Sequence, residues 1–330
     1  MSRPILVTGA TGFIGSAVAR HLLDAGHAVR ALVRPDSRLD NLQALDVEIV
    51  RGDVREPDTL APAMRGCRAV FHVAADYRLW ARNPAELYAT NVGGTRNVLD
   101  AVARAGVERV VYTSSVATLG TPASGDSADE NTPARIEDMV GDYKRSKFMA
   151  ERLALRFARR TGVEVVIVNP SAPLGTRDIK PTPTGRVIVD ALRGRMPAYV
   201  DTGLNVVHVD DVAAGHLLAF ERGAAGQRYV LGGENMTLAE ILASVARLAG
   251  RRPPSLELPH EILLPAAYAA EGWARITGRA PALTVAGLKM SRKKMYCSSR
   301  RACDQLGYRP RPAQDAVADA VHWFEAHGYC

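Results

Sequence analysis

Tyr143-Lys144-Arg145-Ser146-Lys147 sets a tyrosine and a lysine four residues apart, on one face of any helix that contains them. Upstream, Thr113-Ser114-Ser115 closes an apolar run and offers hydroxyls at its end. These residue types suit hydride transfer to a carbonyl, which needs a proton at the oxygen as the hydride reaches the carbon. A free phenol titrates near ~10, too high to exchange protons readily at neutral pH. A lysine ammonium beside it is expected to stabilise the phenolate and lower that value by ~2–3 units, or ~3–4 kcal/mol. A serine hydroxyl would add a second hydrogen bond to the reacting oxygen. YxxxK alone is common by chance; its place after a glycine turn and a Ser-Ser strand end gives it weight.

The glycine turn is Val7-Thr-Gly-Ala-Thr-Gly-Phe-Ile-Gly15, with Gly9, Gly12 and Gly15 between an apolar run and a helical pattern. Glycines there permit a tight turn and a close pyrophosphate, and the helix N-terminus presents free N–H groups. About 20 residues on, where an NAD-selective site carries an acid for the ribose 2′-hydroxyl, the chain has Arg34, with Arg38 behind it. Arginine grips a 2′-phosphate bidentately, so NADP(H) is expected ahead of NAD(H). The alternative is a solvated charge at a strand end, with Asp36 and Asp40 close by. Gly52-Asp53-Val54 would set a carboxylate near the adenine amino group, or Asp53 caps the next helix. His72-Val73-Ala74-Ala75 supplies small residues where a cofactor must pass closely.

Short apolar runs alternate with amphipathic stretches over the first half. Strands are expected at 5–7, 28–33, 47–50, 69–73, 107–112 and 163–168, and helices at 13–25, 84–105 and 143–160. This is the pattern of an α/β fold, a Rossmann-type doubly wound parallel sheet with helices on both faces. After Pro170 prolines and glycines break the rhythm, and a smaller, mostly helical C-terminal substrate region is expected. The expected division is a dinucleotide-binding part at 1–170 and a substrate part at 171–330, interleaved, with 206–220 packing back on the first part and Val206–Val209 rejoining the sheet region.

The 330 residues are 47% hydrophobic and 23% charged, enough for a substantial core. The formal charge of +7 is spread along the chain with acids interspersed, unlike a nucleic-acid binder that concentrates it on one helix or tail. Cys67, Cys297, Cys303 and Cys330 form no CxxC pair and no metal-ligand spacing, and read as reduced thiols of a cytoplasmic protein with no structural metal. No signal peptide fits the N-terminus, and no run of ~18 apolar residues suggests a span.

The chain resembles the extended short-chain dehydrogenase/reductases, the NAD-dependent epimerase/dehydratase superfamily. The matching residues are TGATGFIG, GDV, Asn91 in TNVGGT, TSSVATLG, YKRSK, Asn169-Pro170-Ser171, HVDDVA at 208–213 and LGYRP at 306–310. The resemblance implies Ser115, Tyr143 and Lys147 as the catalytic set, with Lys147 also on the nicotinamide ribose. It further implies Thr11, Phe13, Ile14, Val54, Asn91, Thr113, Asn169, Pro170 and Ser171 beside the glycines as cofactor contacts. The basic turn after the second strand is similar to dihydroflavonol-4-reductase-like members. DYRLWARNP, KPTPTGR, GRMPAYVDTGLNVVHVDDVAAGH and LGGENMTL resemble the hopanoid-associated sugar epimerase group, which implies hopanoid side-chain metabolism. Family resemblance also implies a homodimer through the helices at 91–105 and 143–160.

On the substrate side, Asp76, Tyr77, Arg78 and Trp80 follow the fourth strand and either line the pocket or form a surface loop with Trp80 packed inward. Arg177, Lys180, Arg186 and His208 are further candidates, His208 equally a satisfied core histidine. A small or lipid-linked sugar or polyol is the expected substrate, reduced by NADP(H). The rival is a sugar epimerase that oxidises and re-reduces one carbon; a catalytically silent nucleotide sensor is disfavoured because tyrosine and lysine are both present. With a lipid substrate, 256–276 and the basic 289–294 would form a peripheral membrane patch, although domain packing is the preferred reading.

Overall fold

The computed structural model describes residues 3–122, 127–278, 281 and 283–330. The first half runs β1 (Ile5–Thr8), α1 (Phe13–Asp24), β2 (Val29–Val33), β3 (Val47–Arg51), α2 (Pro57–Met64), β4 (Ala69–His72), α3 (Ala85–Tyr88), α4 (Gly94–Ala105), β5 (Arg109–Thr113), α5 (Gly141–Thr161) and β6 (Glu164–Pro170). The second half holds β7 (Ala172–Leu174), α6 (Pro183–Leu192), β8 (Ala198–Tyr199), β9 (Gly203–His208), α7 (Val209–Arg222), β10 (Arg228–Leu231), β11 (Glu234–Thr237) and α8 (Leu238–Leu248). It ends with β12 (Leu256–Glu257), α9 (His260–Thr277), α10 (Val285–Ser291), α11 (Arg300–Leu306) and α12 (Ala313–Ala326).

The central sheet has seven strands in the order β10-β6-β5-β4-β1-β2-β3, all parallel. Chain order reverses between β1 and β4, which opens a crevice at the carboxyl ends of those strands. β1, β4 and most of β5 are buried, hence their unbroken apolar spelling rather than alternation. One core lies between α1, α7 and the sheet, around Phe71, Val111 and Val168; the other lies under α2, α4 and α5, around Leu6, Val70 and Ile167.

Three expectations change. The helix expected at 84–105 is interrupted: between α3 and α4, residues 89–93 form a π-turn with Asn91 at its centre. Such turns are frequent at functional sites because they re-aim one side chain. The run around Val206 does not return to the central sheet; β9 pairs with β7 and β11 in a separate three-stranded sheet. The strand that does join is β10, which pairs with β6. The stretch at 256–276 packs inward on one side only. α9 rests on α10 through Leu263, Leu264 and Ala267, while Ile262, Tyr268, Trp273 and Ile276 are exposed. Among the described residues no helix is long and apolar enough to cross a membrane.

Candidate active site

The glycine turn sits at the switch point, where β1 delivers the chain to α1. Gly9 has φ +71, and a Cβ on it would lie 2.7 Å from the Ala74 backbone. A Cβ on Gly15 would lie 2.1 Å from the Gly9 carbonyl oxygen. Those two glycines are therefore needed by the turn itself. Gly12 caps α1 without any side-chain hydrogen bond, so no side chain competes for the first-turn N–H groups. Ala74 N–H donates to Thr8 Oγ1 at 3.2 Å, holding the opposite wall against the turn. Phe13 is buried, Ile14 packs on the core, and Ala75 lies half-buried after Ala74.

Around the turn, Arg34 follows β2, exposed and 3.7 Å from Asp36, while Arg38 is held bidentately by Asp40. Arg34 therefore keeps donors free that Arg38 has spent. Asp53 does not cap α2, whose N-cap is Glu56; its carboxylate instead takes Arg55, at 2.6 Å for the closest contact. Burial pushes Asp53 up, but Arg55 outweighs it and the group ends below the usual carboxylate range. Val54 is buried and fills the space beside Gly94. Asn41, which carries no sequence signal, bridges the Thr11 and Arg177 carbonyls at 3.3 and 3.2 Å.

At the ends of β5 and β6, Ser115 accepts the Ala117 N–H through its own hydroxyl at 3.1 Å and faces the Tyr143 phenol. Tyr143 lies in the first turn of α5, which Gly141 starts at φ +82. The phenol is raised above its ordinary value, opposite to the lowering expected from the spacing. Burial desolvates the phenolate and Asp76 adds negative potential, while the Ser115 hydrogen bond works the other way. Lys147 is buried one turn on, its ammonium donating to the Thr113 carbonyl at 2.7 Å and to Tyr112 Oη at 3.4 Å. Burial pulls this lysine down to about 8, against the upward pull of Glu151.

Several expected cofactor contacts prove to be committed inside the protein. Asn91 donates through Nδ2 to the Asp76 carbonyl and to Ser146 Oγ, both at 2.9 Å, and accepts the Asp76 N–H at 2.7 Å. Its amide protons are spent, so it clamps the loop after β4 onto α5 rather than reaching a ligand. The Thr113 hydroxyl is likewise bound to His216 at 2.9 Å. Asn169 Nδ2 serves the Ser115 carbonyl, Thr118 and Glu151. By contrast, Ser114 Oγ, Ser171 Oγ and Asn169 Oδ1 are buried without a hydrogen-bond partner. Orphaned acceptors and hydroxyls at the carboxyl ends of β5 and β6, beside Pro170, fit a polar ligand laid across that edge. The residues present thus suit a dinucleotide.

The substrate candidates separate. Asp76 holds Arg78 bidentately and lies near the phenol. Tyr77 donates weakly to the Lys180 carbonyl at 3.4 Å, and burial pushes it up to about 12. Trp80 lines a cavity of about 590 Å³ with Met139, Val285, Arg82, Arg145 and Lys289. Arg82 and Arg275 had no sequence signal, because nothing local links them to Tyr143. Arg177 is paired with Asp210 at 2.7 Å and sits by the glycine turn in a left-handed backbone, φ +74. His208 is no substrate ligand: it is buried, takes the Asp210 N–H on Nδ1 and meets Asp319 through Nε2 at 3.0 Å. That satisfied core histidine caps α7.

Residues 5–232 match the NAD dependent epimerase/dehydratase family. A Synechocystis sp. protein provisionally named dihydroflavonol 4-reductase is 48% identical, covering 100% of this chain and 96% of its own. The sterol demethylase protein B of Methylococcus capsulatus is 35% identical, with 98% of each chain covered. Among solved structures, a nucleoside-diphosphate-sugar epimerase from Pseudomonas aeruginosa superposes with a TM-score of 0.82 at 28% identity, over 100% of this chain and 99% of its own.

Proposed function

The chain belongs to the NAD dependent epimerase/dehydratase family, and from that membership we propose that it is an NADP(H)-dependent reductase of a carbonyl on a sugar- or polyol-derived substrate, such as the side chain of a hopanoid lipid. As an enzyme of that family it is an oxidoreductase working with a nicotinamide cofactor. The observation that carries the reductive reading is Ser115 facing a protonated Tyr143, with Lys147 buried behind them at the strand edge beside the glycine turn.

Gly9, Gly12 and Gly15 with the α1 N-terminus would hold the pyrophosphate, and Arg34 the 2′-phosphate. Nicotinamide, when bound, supplies the hydride. The protein's part is the proton. Tyr143, raised by burial, is a neutral phenol at pH 7 and donates its proton to the substrate oxygen. Ser115 donates a second hydrogen bond to that oxygen and stabilises its developing charge. Lys147, with its positive charge held by the Thr113 carbonyl, stabilises the phenolate left behind. The sterol-related relative and the apolar residues lining the cavity support a substrate with a hydrocarbon part.

Similarity to a sugar epimerase keeps a second reading in view, in which one carbon is oxidised and re-reduced without net turnover. Release of nucleotide from freshly purified protein separates the two. A reductase is expected to retain little and to bind added NADPH ahead of NADH. Tightly held, near-stoichiometric NAD⁺ would overturn both the reductive assignment and the role given to Arg34.

A further inference from the structure

α9 is apolar on both sides, and one of its apolar faces is turned to solvent. Counting at 100° per residue, Ile262, Pro265, Ala266, Ala269, Trp273 and Ile276 share one face, and all are exposed. Ile262, Trp273 and Ile276 are 64%, 67% and 78% exposed. The opposite face packs Leu263, Leu264 and Ala267 against Val285 and Leu288 of α10, with Ala274 also buried. A helix at a protein surface ordinarily turns such a stripe inward and its charges outward. Here the stripe faces solvent, and exposed cations stand on the same helix pair. Arg275, Lys289 and Lys293 are exposed and have no carboxylate within salt-bridge distance among the described residues. Residues 251–294 hold eight Lys and Arg against three Glu, a surplus of five in a chain whose total is +7.

We propose that α9 and the basic edge of α10 dock this protein on the surface of an anionic phospholipid bilayer. An exposed Trp among aliphatic residues, with cations on the same helix pair, matches the layered polarity of a bilayer interface, with the apolar face sunk to the acyl boundary and Lys or Arg at the phosphates. A second copy of the chain is a poorer occupant. In a two-fold contact through this stripe the same cations would face one another, at a cost in like-charge repulsion. The helix lies on the membrane, since no described helix is long and apolar enough to cross one. Glu271, Arg275, Ala286 and Lys289 of the same helix pair line the cavity that reaches Gly141 and Asp142, next to Tyr143. Resting on the reductase reading above, docking would set the cavity mouth at lipid level, so that a substrate keeps its hydrocarbon part in the bilayer. The docking itself needs no activity to be tested.

Full-length protein is to be sedimented with phosphatidylcholine vesicles, with and without phosphatidylglycerol. Binding should strengthen with the anionic lipid by roughly fivefold for each cation engaged and weaken with salt, and tryptophan emission should shift to the blue. Trp273→Glu with Ile276→Glu should cut binding by at least about tenfold while leaving thermal unfolding unchanged, because both side chains are solvated in the free protein. Lys289→Gln with Lys293→Gln, which spares the apolar face, should remove most of the preference for phosphatidylglycerol. Absence of binding to either vesicle, or binding by both double variants as strong as the parent's, overturns the proposal. So does a dimer that Trp273→Glu with Ile276→Glu dissociates in the absence of any vesicle binding, which would assign the face to self-association.

Discussion

At the scale of single residues the site divides into groups that keep a polar atom available and groups already spent. Ser114, Ser171 and Arg34 keep theirs; Asn91, Thr113, Arg38 and His208 do not. In the proposed reduction Tyr143 is the proton donor: it faces Ser115, and its raised phenol stays neutral through the physiological range. Replacing Tyr143 with Phe removes the proton and nothing that holds the nucleotide turn. Turnover in single-turnover and steady-state assays should fall by roughly 10²–10⁴, the usual contribution of a general acid, with NADPH affinity retained. Turnover within a few-fold of the parent would remove Tyr143 from the mechanism.

The element that organises these residues is α5. Tyr143, Lys147 and Glu151 recur every four residues along one face, so one helix carries the proposed proton donor, a buried cation and a buried carboxylate. Glu151 accepts from Thr118 and Asn169 at 2.8 Å and from Arg228 of β10 at 3.0 Å, tying the helix to the sheet edge. Its charge also holds Lys147 up against burial. Glu151→Gln keeps an acceptor but removes that charge, so Lys147 falls below about 8 and loses its proton sooner. The alkaline limb of kcat/KM should move toward neutral pH by on the order of one unit. Arg228 loses its ion pair, at about 1–3 kcal/mol, less than for a fully buried pair because that side chain keeps some exposure. An unmoved alkaline limb would refute the coupling. The glycine turn and YxxxK were legible in the sequence because each is a local pattern with a local consequence. The Asn91 π-turn, the Glu151–Arg228 pair and β10 were not, since each depends on partners 15 to 77 residues away. Nor does apolar periodicity tell which way a helix faces: α9 reads as a packing helix and is largely exposed.

Over the whole molecule, buried titratable groups set how stability responds to acid. His72 lies inside the first half, accepting from Thr8 on Nδ1 and donating to Thr95 through Nε2, and burial pulls it down to about 3. His216 on α7 is held by Thr113 and the Val212 carbonyl and pulled down to about 4. Both start from 6.5 when unfolded, so the folded protein binds fewer protons and loses stability as pH falls below that value. Asp178 works the other way. Burial raises it from 3.8 to about 6, so its ionisation costs stability near neutrality and protonation relieves that cost as pH falls through 6. Between pH 7 and 5 the two histidines lose about 4 kcal/mol together, and Asp178 returns about 1. Denaturant unfolding should therefore report a stability roughly 2–3 kcal/mol lower at pH 5 than at pH 7. Asp178→Asn removes the opposing group and should steepen the loss to about 4 kcal/mol. Equal stability at the two pH values would mean that the rings holding β4 to α4 and β5 to α7 take up protons without breaking those bonds. The carboxyl edge that carries the glycine turn and Tyr143 would then be less rigidly held than these hydrogen bonds indicate.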